Sequence, residues 1–372
     1  MKIRAAVLSQ DSSHLDIETL TLEAPRTDEV IVRLVATGVC HTDIKHSEPG
    51  GIVPRPVVLG HEGAGIVIAT GSAVTRVKPG DPVVLSYDYC NTCASCLSGF
   101  RSYCHELRPR NFGGTRPDGT SPLSRDGSFI HGSFFGQSSF ATHATAYERN
   151  VVKVPAQAPL ERLGPLGCGV QTGAGAIINA FKAQAGCTVA VIGSGAVGLS
   201  AVMAARLIGA RRIIAVDLHD NRLELARELG ATHVLNAARD DIVREALAIT
   251  GHGVDYVLDT TTLVPVMQQG IAMLAPRGNF AFVAGPGGTA TLPLPLGHML
   301  LGGRSVRGII EGDSPSDTFI PMLIDLFLQG RFPFDRMIEF YPFERINEAI
   351  ADSSSGRVIK PVLRFETGTA AD

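Results

Sequence analysis

A glycine-rich turn between an apolar segment and a helical pattern constrains the fold of this chain more than any other feature. The motif Gly-Ser-Gly-Ala-Val-Gly occupies residues 193–198, directly after the apolar run 188–192. Glycines at its first, third and sixth positions allow a tight turn, close backbone approach to a pyrophosphate, and close packing of the next helix. The residues that we expect to contact a dinucleotide here are Gly193, Gly195, Val197 and Gly198.

After residue 187, short apolar runs alternate with helical patterns at spacings that leave room for crossover helices. This alternation is typical of a parallel, doubly wound sheet. The predicted strands are 188–192, 212–216, 256–258 and 279–284, and the predicted helices are 197–208 and 222–229.

The chain up to about residue 155 instead alternates β-branched runs with glycine and proline turns, which predicts a small all-β unit. Its predicted strands are 29–36, 64–69, 81–86 and 151–154. After Gly308 we expect helices at 319–328 and 343–351, a short turn at 353–356 and a last strand at 358–365.

An acidic residue, Asp217, ends the second strand of the doubly wound region. A carboxylate there can accept hydrogen bonds from the ribose hydroxyls of an adenosine and would repel a 2′-phosphate, which favours NAD over NADP. Arg222 weakens this choice, because a nearby cation could tolerate a phosphate. The alternative for Asp217 is a strand-end turn or a helix N-cap.

Composition excludes some classes of partner. A formal net charge of −3 gives no broad basic field for nucleic acid or anionic lipid, so we expect a small-molecule substrate, no nucleic acid and no membrane. Charged residues make up 19%, below the usual quarter, which suggests an oligomer interface. The apolar run 5–8 is shorter than the apolar region of a signal peptide, so we expect a cytoplasmic location. The charge-free stretch after Lys182 imitates a membrane span, but glycines divide it into strand, turn and helix.

Four of the seven cysteines lie in one short segment, at Cys90, Cys93, Cys96 and Cys104. Four thiolates at this spacing match a closed tetrahedral zinc site that stabilises a loop and leaves no position for a substrate. An iron–sulfur cluster also takes four thiolates, but nothing else in the chain suggests electron transfer. A nucleic-acid-binding zinc ribbon is disfavoured by the few basic residues nearby.

A second set of donors is scattered over the sequence, at Cys40, His61 and Cys168. Two thiolates and one imidazole make a zinc site with an open fourth position, as catalysis requires. Spacing alone does not establish this site, because a free cysteine is often a small core residue and a lone histidine is often structural.

Five motifs in order resemble the zinc-containing medium-chain alcohol dehydrogenases over essentially the whole chain. They are GVCHTD at 38–43, GHEGAG at 60–65, VKPGD at 77–81, the cysteine cluster, and GSGAVG at 193–198. The resemblance implies an α/β fold with a GroES-like β-rich catalytic domain at residues 1–166 and 309–372. It also implies a Rossmann NAD-binding domain at residues 167–308.

The resemblance also implies roles for single residues. Cys40, His61 and Cys168 match ligands of a catalytic zinc, and the four clustered cysteines match ligands of a structural zinc. Around the first zinc, Glu62 matches an acid that assists ligand exchange, Asp43 the carboxylate that binds the ligating histidine, and Thr42 the hydroxyl that takes the alcohol proton. The further expected cofactor contacts are Thr172 and Val283, together with His41 and Lys360 as cations near the pyrophosphate.

Within the family, segments 166–175 and 132–136 are similar to the aryl (benzyl) alcohol dehydrogenase branch, in which Phe134 and Phe135 match residues of the substrate channel. The alternative is that both are core residues. Many relatives place a histidine five residues after the first ligand to finish a proton relay, whereas this chain has Lys45 there, followed by His46.

The implied activity is reversible, zinc-dependent and NAD-linked oxidation of a primary alcohol, aromatic or allylic, to the aldehyde, by a homodimer or homotetramer. General aliphatic alcohol oxidation is an alternative. A zinc-free quinone or enone reductase on the same fold is disfavoured, because both zinc sets are complete. A zinc-dependent binding protein that holds NAD only as a ligand is the remaining alternative.

Overall fold

The computed structural model describes residues 1–285 and 289–366. The chain divides into two compact units. The first contains residues 1–168, 315–328 and those from 335 onward, and the second contains residues 169–314 and 329–334. The sequence predicted boundaries at 166/167 and 308/309, close to two of these divisions.

The first unit is built from antiparallel strands with few regular helices. Its strands before residue 168 are β1 (Lys2–Leu8), β2 (Leu15–Leu22), β3 (Glu29–Gly38), β4 (Val57–Val58), β5 (Gly63–Thr70), β6 (Pro82–Leu85), β7 (Leu123–Arg125), β8 (Ser128–Ile130), β9 (His143–Tyr147) and β10 (Val151–Lys153). One sheet has the order β4-β1-β2-β7-β8, and the other contains β10-β6-β5-β3, with β9 also paired to β3. This arrangement is the β-rich unit that the sequence predicted.

The second unit is a parallel sheet. Its strands are β11 (Thr188–Ile192), β12 (Arg212–Asp217), β13 (His233–Asn236), β14 (Val254–Asp259), β15 (Leu274–Phe282) and β16 (Ser305–Gly308). The order β13-β12-β11-β14-β15-β16 reverses direction at β11, which is the doubly wound topology of a Rossmann sheet. Every residue of β11 is buried, as expected for a strand covered on both faces.

Two strands that follow the second unit in the sequence return to the first. These are β17 (Ile338–Pro342) and β18 (Lys360–Arg364). β18 lies between β3 and β17, antiparallel to the former and parallel to the latter. The segment predicted as the last strand therefore occupies an interior position of the sheet that carries β3.

Helices connect the strands of both units. They are α1 (His41–Ser47), α2 (Ala94–Leu97), α3 (Leu107–Phe112), α4 (Gly169–Gly175), α5 (Ala196–Leu207), α6 (Asp220–Leu229), α7 (Ile242–Thr250), α8 (Val264–Ala272), α9 (Leu296–Gly302), α10 (Ser316–Leu328) and α11 (Ile346–Ser354). Within the two described ranges, no helix is both long enough and apolar enough to span a bilayer.

Some element boundaries differ from the prediction. β15 begins at Leu274 rather than at Asn279, because Leu274 already pairs with Val254 before the register shifts. The irregular stretch contains Arg277 with a φ of 63°. Its Pro-Arg-Gly sequence is typical of a turn, so the sequence predicted no strand there. α11 begins three residues later than predicted, after a short 3-10 turn at Phe343–Arg345, and extends into the predicted turn at 353–356.

Candidate metal centres and dinucleotide site

The clustered cysteines converge on one point in the first unit. The sulfurs of Cys90, Cys93, Cys96 and Cys104 all lie within 4.8 Å of one another, and none is in a disulfide. Cys90 Sγ lies 3.9 Å from Cys96 Sγ. A tetrahedral zinc with Zn–S bonds of about 2.3 Å would separate its sulfurs by about 3.8 Å, so the cluster has the right size for zinc.

Backbone N–H groups point at these sulfurs. Cys90 N–H donates to Cys104 Sγ at 3.2 Å, and Cys93 N–H donates to Cys90 Sγ at 3.3 Å. Burial raises the pKa of Cys90, but hydrogen bonds from Thr92 and Cys93 outweigh it and lower the value to about 6. Burial raises the pKa of Cys96 to about 12. Four adjacent sulfurs cannot all be thiolates without a cation among them, and the donor set therefore fits a closed zinc site.

The scattered donors also come together, although they lie in three separate segments. Donor atoms of Cys40, His61, Cys168 and Glu62 lie within 4.8 Å of one another. Cys40 immediately precedes α1, His61 precedes β5, and Cys168 precedes α4. Among the described residues, His61 Nε2 is a buried nitrogen without a hydrogen-bond partner, which is the atom that a metal would satisfy.

Asp43, in α1, fixes the orientation of the His61 ring. Its Oδ1 accepts hydrogen bonds from His61 Nδ1 at 2.9 Å and from Gly60 N–H at 3.0 Å, while Oδ2 accepts from Cys40 N–H at 3.0 Å. A carboxylate at Nδ1 places the ring proton there and leaves Nε2 as the ligating nitrogen. Burial opposes the imidazolium, yet Asp43 and Cys40 raise the pKa of His61 well above its ordinary value.

The two cysteines of this set influence each other. Cys168 lowers the pKa of the Cys40 thiol well below its ordinary value, burial opposes this, and His61 and Lys360 lower it further. The site thus favours a thiolate at Cys40, the form that binds a metal.

Glu62 and Lys360 form a buried ion pair beside the donors. Lys360 Nζ lies 2.9 Å from both carboxylate oxygens of Glu62 and donates to Val39 O at 3.1 Å. Burial disfavours the charged forms of both, but Glu62 raises the pKa of Lys360 above its ordinary value. The sequence predicted a pyrophosphate partner for Lys360. Because these three contacts use all three ammonium protons, the structure gives the amine a different partner, and a role toward a phosphate stays a prediction.

The predicted substrate-channel residues pack on the ring of His61. Phe135 stacks on His61 with ring centroids 4.5 Å apart, and Phe134 contacts the same ring edge-on at 5.6 Å. Phe112 contacts both phenylalanines. Phe134 is 0% exposed, whereas Phe135 retains 8%. Phe134 is therefore fully buried and Phe135 keeps a small exposed fraction, while a role of either in a substrate channel stays a prediction.

The turn that carries these rings has an unusual backbone. Phe135, Gly136 and Ser138 have φ values of 52°, 64° and 49°. Non-glycine residues in this region cost about 1–3 kcal/mol each and persist only where their surroundings hold them. Asn150 holds the turn through Nδ2, which donates to Phe135 O at 3.4 Å and to Gly136 O at 3.3 Å.

The sequence did not identify Gln137, which lies in the same turn. Its Nε2 donates to His61 O at 3.0 Å and to Ser86 O at 3.1 Å, and its Oε1 accepts from Gly63 N–H at 3.1 Å. These partners lie 51 to 76 residues away in the sequence and meet Gln137 only in the folded chain. Spacing along the sequence therefore gives no indication that Gln137 binds them.

The remaining predicted residues of α1 differ in exposure. His41 and Lys45 are exposed, Thr42 is half-buried, and His46 is buried between Phe112 and Phe134. Burial lowers the pKa of His46 to about 4. The two candidates for the end of the proton relay therefore lie in very different surroundings.

In the second unit, the glycine motif forms the turn between β11 and α5. Gly193 has a φ of 93°, and a Cβ there would lie 2.2 Å from Thr260 Oγ1. A Cβ on Gly198 would lie 1.8 Å from Gly193 O, whereas Gly195, the N-cap of α5, faces open space. These positions suit a tight turn, close helix packing and close approach of a ligand to the helix N-terminus, and Val197 lies in the first turn of α5.

Asp217 ends β12 beside this turn. Its Oδ2 accepts from Ser194 N–H at 2.7 Å, and its Oδ1 accepts from Leu218 N–H at 2.8 Å and from His219 N–H at 3.0 Å. Arg222 Nη1 is 3.9 Å from Asp217 Oδ2. The carboxylate and the glycine turn thus lie at the carboxyl edge of the sheet, where such folds bind dinucleotides.

On the other half of the sheet, Val283 follows β15 and is half-buried, and Thr172 is buried in α4. Glu311, after β16, was not predicted. Its Oε2 accepts from Gln171 Nε2 at 2.9 Å and lies 3.5 Å from Thr172 Oγ1, and its φ is 51°. A strained acidic residue beside Thr172 has no signature in the sequence.

Comparison with known proteins gives the family. Residues 26–156 match the alcohol dehydrogenase GroES-like domain, and residues 196–329 match the zinc-binding dehydrogenase domain. The chain belongs to the zinc-dependent, medium-chain alcohol dehydrogenases.

Individual relatives are similar over nearly the whole chain. A geraniol dehydrogenase of Castellaniella defragrans is 46% identical over 97% of this chain and 97% of its own. The crystal structure of an alcohol dehydrogenase zinc-binding domain protein from Burkholderia ambifaria is 51% identical, with a TM-score of 0.97, over 98% of this chain and 99% of its own. The crystal structure of benzyl alcohol dehydrogenase from Acinetobacter calcoaceticus is 44% identical, with a TM-score of 0.95, over 98% of this chain and 100% of its own.

Proposed function

We propose that this alcohol dehydrogenase oxidises a primary aromatic or allylic alcohol to its aldehyde, using NAD, one catalytic zinc and one structural zinc. The observation that carries the proposal is the convergence of Cys40, Cys168 and the unpartnered His61 Nε2 on one point. Metal analysis should find two zinc ions per chain. Full activity with one zinc per chain would contradict the two-zinc proposal.

A zinc ion held by Cys40, His61 and Cys168 would polarise the alcohol oxygen as a Lewis acid, and a bound nicotinamide would accept the hydride. The chain's own residues orient the donors and remove the proton. Asp43 accepts the hydrogen bond of His61 Nδ1, which leaves Nε2 as the nitrogen that a metal would take in place of a proton. Thr42 lies in α1, two residues after Cys40, and its hydroxyl would accept the alcohol proton while it passes its own proton onward.

The proton must then leave the site. Because the pKa of His46 is lowered to about 4, this buried residue is neutral near pH 7 and would not retain a proton. Lys45 is exposed on the same helix, so we propose that the proton leaves on the Lys45 side or through water. His46→Gln should then leave the pH profile of kcat unchanged between pH 6 and 9. A new inflection in that range would show that His46 takes part in the proton relay.

The preference for NAD is proposed from Asp217. Its carboxylate would repel the 2′-phosphate of NADP, and we expect a preference of at least about tenfold in kcat/KM. Asp217→Ala should reduce this preference, whereas Arg222→Ala should increase it by removing the cation. Equal efficiencies with both cofactors in the parent would mean that Arg222 outweighs Asp217.

The substrate class is supported by Phe135 and by the two named relatives, one a geraniol and the other a benzyl alcohol dehydrogenase. An aromatic contact contributes about 0.5–1.5 kcal/mol beyond burial, or a preference of about two- to tenfold. We expect benzyl and cinnamyl alcohol to exceed hexanol and ethanol in kcat/KM.

Phe135→Ala should narrow that preference, and Phe134→Ala should act mainly on stability, because Phe134 is fully buried. If ethanol matches benzyl alcohol in the parent, the alternative of general aliphatic oxidation is favoured.

We also propose a homo-oligomer, formed through the surface that combines α9 with β16. In α9, Leu296, Leu300 and Leu301 are 77%, 82% and 90% exposed. β16 is an edge strand of the parallel sheet among the described residues, and a second copy would cover both the strand edge and the leucines. Light scattering should give a particle mass that is a multiple of the 39.3 kDa chain mass. Leu300→Asp should lower the measured particle mass. A monomeric parent would contradict this.

A further inference from the structure

Two hydrogen-bonded side chains, Gln137 and Ser86, connect the segment of His61 to that of Cys168. We infer that this Gln137–Ser86 bridge fixes the separation of the two donors, and that Gln137 is a positioning residue of the metal centre. The inference rests on the proposed function, because it takes Cys40, His61 and Cys168 as zinc ligands.

The bridge is continuous. The Gln137 amide is bonded to the carbonyl of His61 and to the N–H of Gly63, the two groups on either side of Glu62. The same amide donates to Ser86 O at 3.1 Å, and Ser86 Oγ donates to Gly167 O at 2.8 Å. Gly167 is the residue before Cys168. Gln137 is 1% exposed, so water does not compete for these hydrogen bonds.

The bridge complements Asp43. Asp43 joins Cys40 to His61, since its two oxygens accept from Cys40 N–H and His61 Nδ1. Gln137 and Ser86 join His61 to the third donor. With both connections, three donors from distant parts of the chain have their relative positions set by the protein before a metal arrives.

The backbone around Gln137 supports a positioning role. Phe135 and Ser138 on either side of it adopt left-handed conformations that these residues disfavour. The same turn places the Phe135 ring on His61. Such backbone is kept where the surroundings determine it. Its result here is that one turn contacts both the ring and the carbonyl group of His61.

Gln137→Met tests the inference, because methionine keeps the length of the side chain and removes all three hydrogen bonds. We expect release of one zinc to a chelator to be about tenfold faster, with release of the second zinc unchanged as an internal reference. The absorption bands of the cobalt-substituted catalytic site should shift. Ser86→Ala should change both quantities in the same direction but less, and it is the milder variant if Gln137→Met does not fold.

Asn111→Leu is the matched control. The Asn111 amide is equally buried and has the same pattern, accepting from Asp88 N–H at 2.9 Å and donating to Asp88 O at 2.9 Å and to Leu107 O at 2.7 Å. It contacts no donor of the open site, so we expect lower thermal stability with parental zinc release and cobalt spectrum.

If Gln137→Met and Ser86→Ala behave like Asn111→Leu, the bridge is only structural and the inference is wrong. A parent with a single zinc would instead contradict the proposed function itself.

Discussion

The two donor sets of the first unit differ in how the chain assembles them. The four clustered cysteines come from one segment of fifteen residues, 90–104, and much of their surroundings is the backbone of that segment. The open set draws one donor from each of three segments. Asp43, next to the first donor, and Gln137 and Lys360, from more distant segments, connect these segments. A local cluster can thus be recognised in the sequence, whereas the donors of the scattered set come together only in the folded chain.

Removing one thiol from each set should give the largest contrast. Cys168→Ala should lower turnover at least about a thousandfold, because several kcal/mol of Lewis-acid stabilisation are lost, while the melting temperature changes little. Cys93→Ala should lower the melting temperature on the order of 10 °C, because a structural zinc contributes folding energy directly. Turnover, zinc content and melting curves of both variants are the measurements. A Cys93→Ala protein with parental stability would abolish the distinction.

Asp43→Asn should have an intermediate effect that is confined to the open set. Asparagine keeps the shape but removes the charge opposite His61 Nδ1, so we expect a loss of about 10–100-fold in activity or in affinity for one zinc. The clustered site should keep its metal. In a chelator titration, its zinc should be released in a separate phase that is the same in the variant and in the parent. Equal loss of both metals would show that Asp43 supports the fold rather than the ligand.

The smallest expected effect concerns the ion pair that joins the cysteine segment, residues 90–104, to α10. Arg101, between Cys96 and Cys104, is paired with Asp317 in α10, and Arg76 lies 3.3 Å from the same carboxylate. Burial raises the pKa of Asp317, but Arg101 outweighs it and holds the pKa below its usual range. Asp317→Asn should lower the melting temperature by about 2–4 °C at pH 7, as loss of about 1 kcal/mol would.

The pH dependence of that difference has a defined sign. Because the folded-state pKa is depressed, the carboxylate stabilises the protein above its unfolded pKa, near 3.9, and loses this effect as the pH falls further. The gap between parent and Asp317→Asn should therefore be constant from pH 5 to 8 and narrow below about pH 4. Glu245→Gln, which breaks the exposed pair with Arg244, is the control and should leave melting unchanged. A gap that widens in acid would contradict this account.

Local signals predicted much of the fold. The strand 188–192 and the helix after it are confirmed, because hydrophobic periodicity and the glycine turn act over a few residues. The start of β15 was missed where a Pro-Arg-Gly sequence lies inside the strand.

The candidate site was likewise predictable only in part. Donor residues and Asp43 follow from motifs, whereas the partner of Lys360 and the role of Gln137 depend on pairings between distant segments.

The interior position of β18 has a consequence for the order of events during synthesis. Val362 of β18 pairs with Gly38 of β3, and all of residues 169–314 are translated between them. The nascent chain can therefore complete its parallel sheet, and collect zinc at the four cysteines, while β3 is paired only with β5 and β9 and still lacks β18. Lys360 arrives last, so the Glu62–Lys360 ion pair beside the open donors forms only after β18 has been made. Loading of the two metals should accordingly be sequential, with the loop site first and the catalytic site after the final strand is in place.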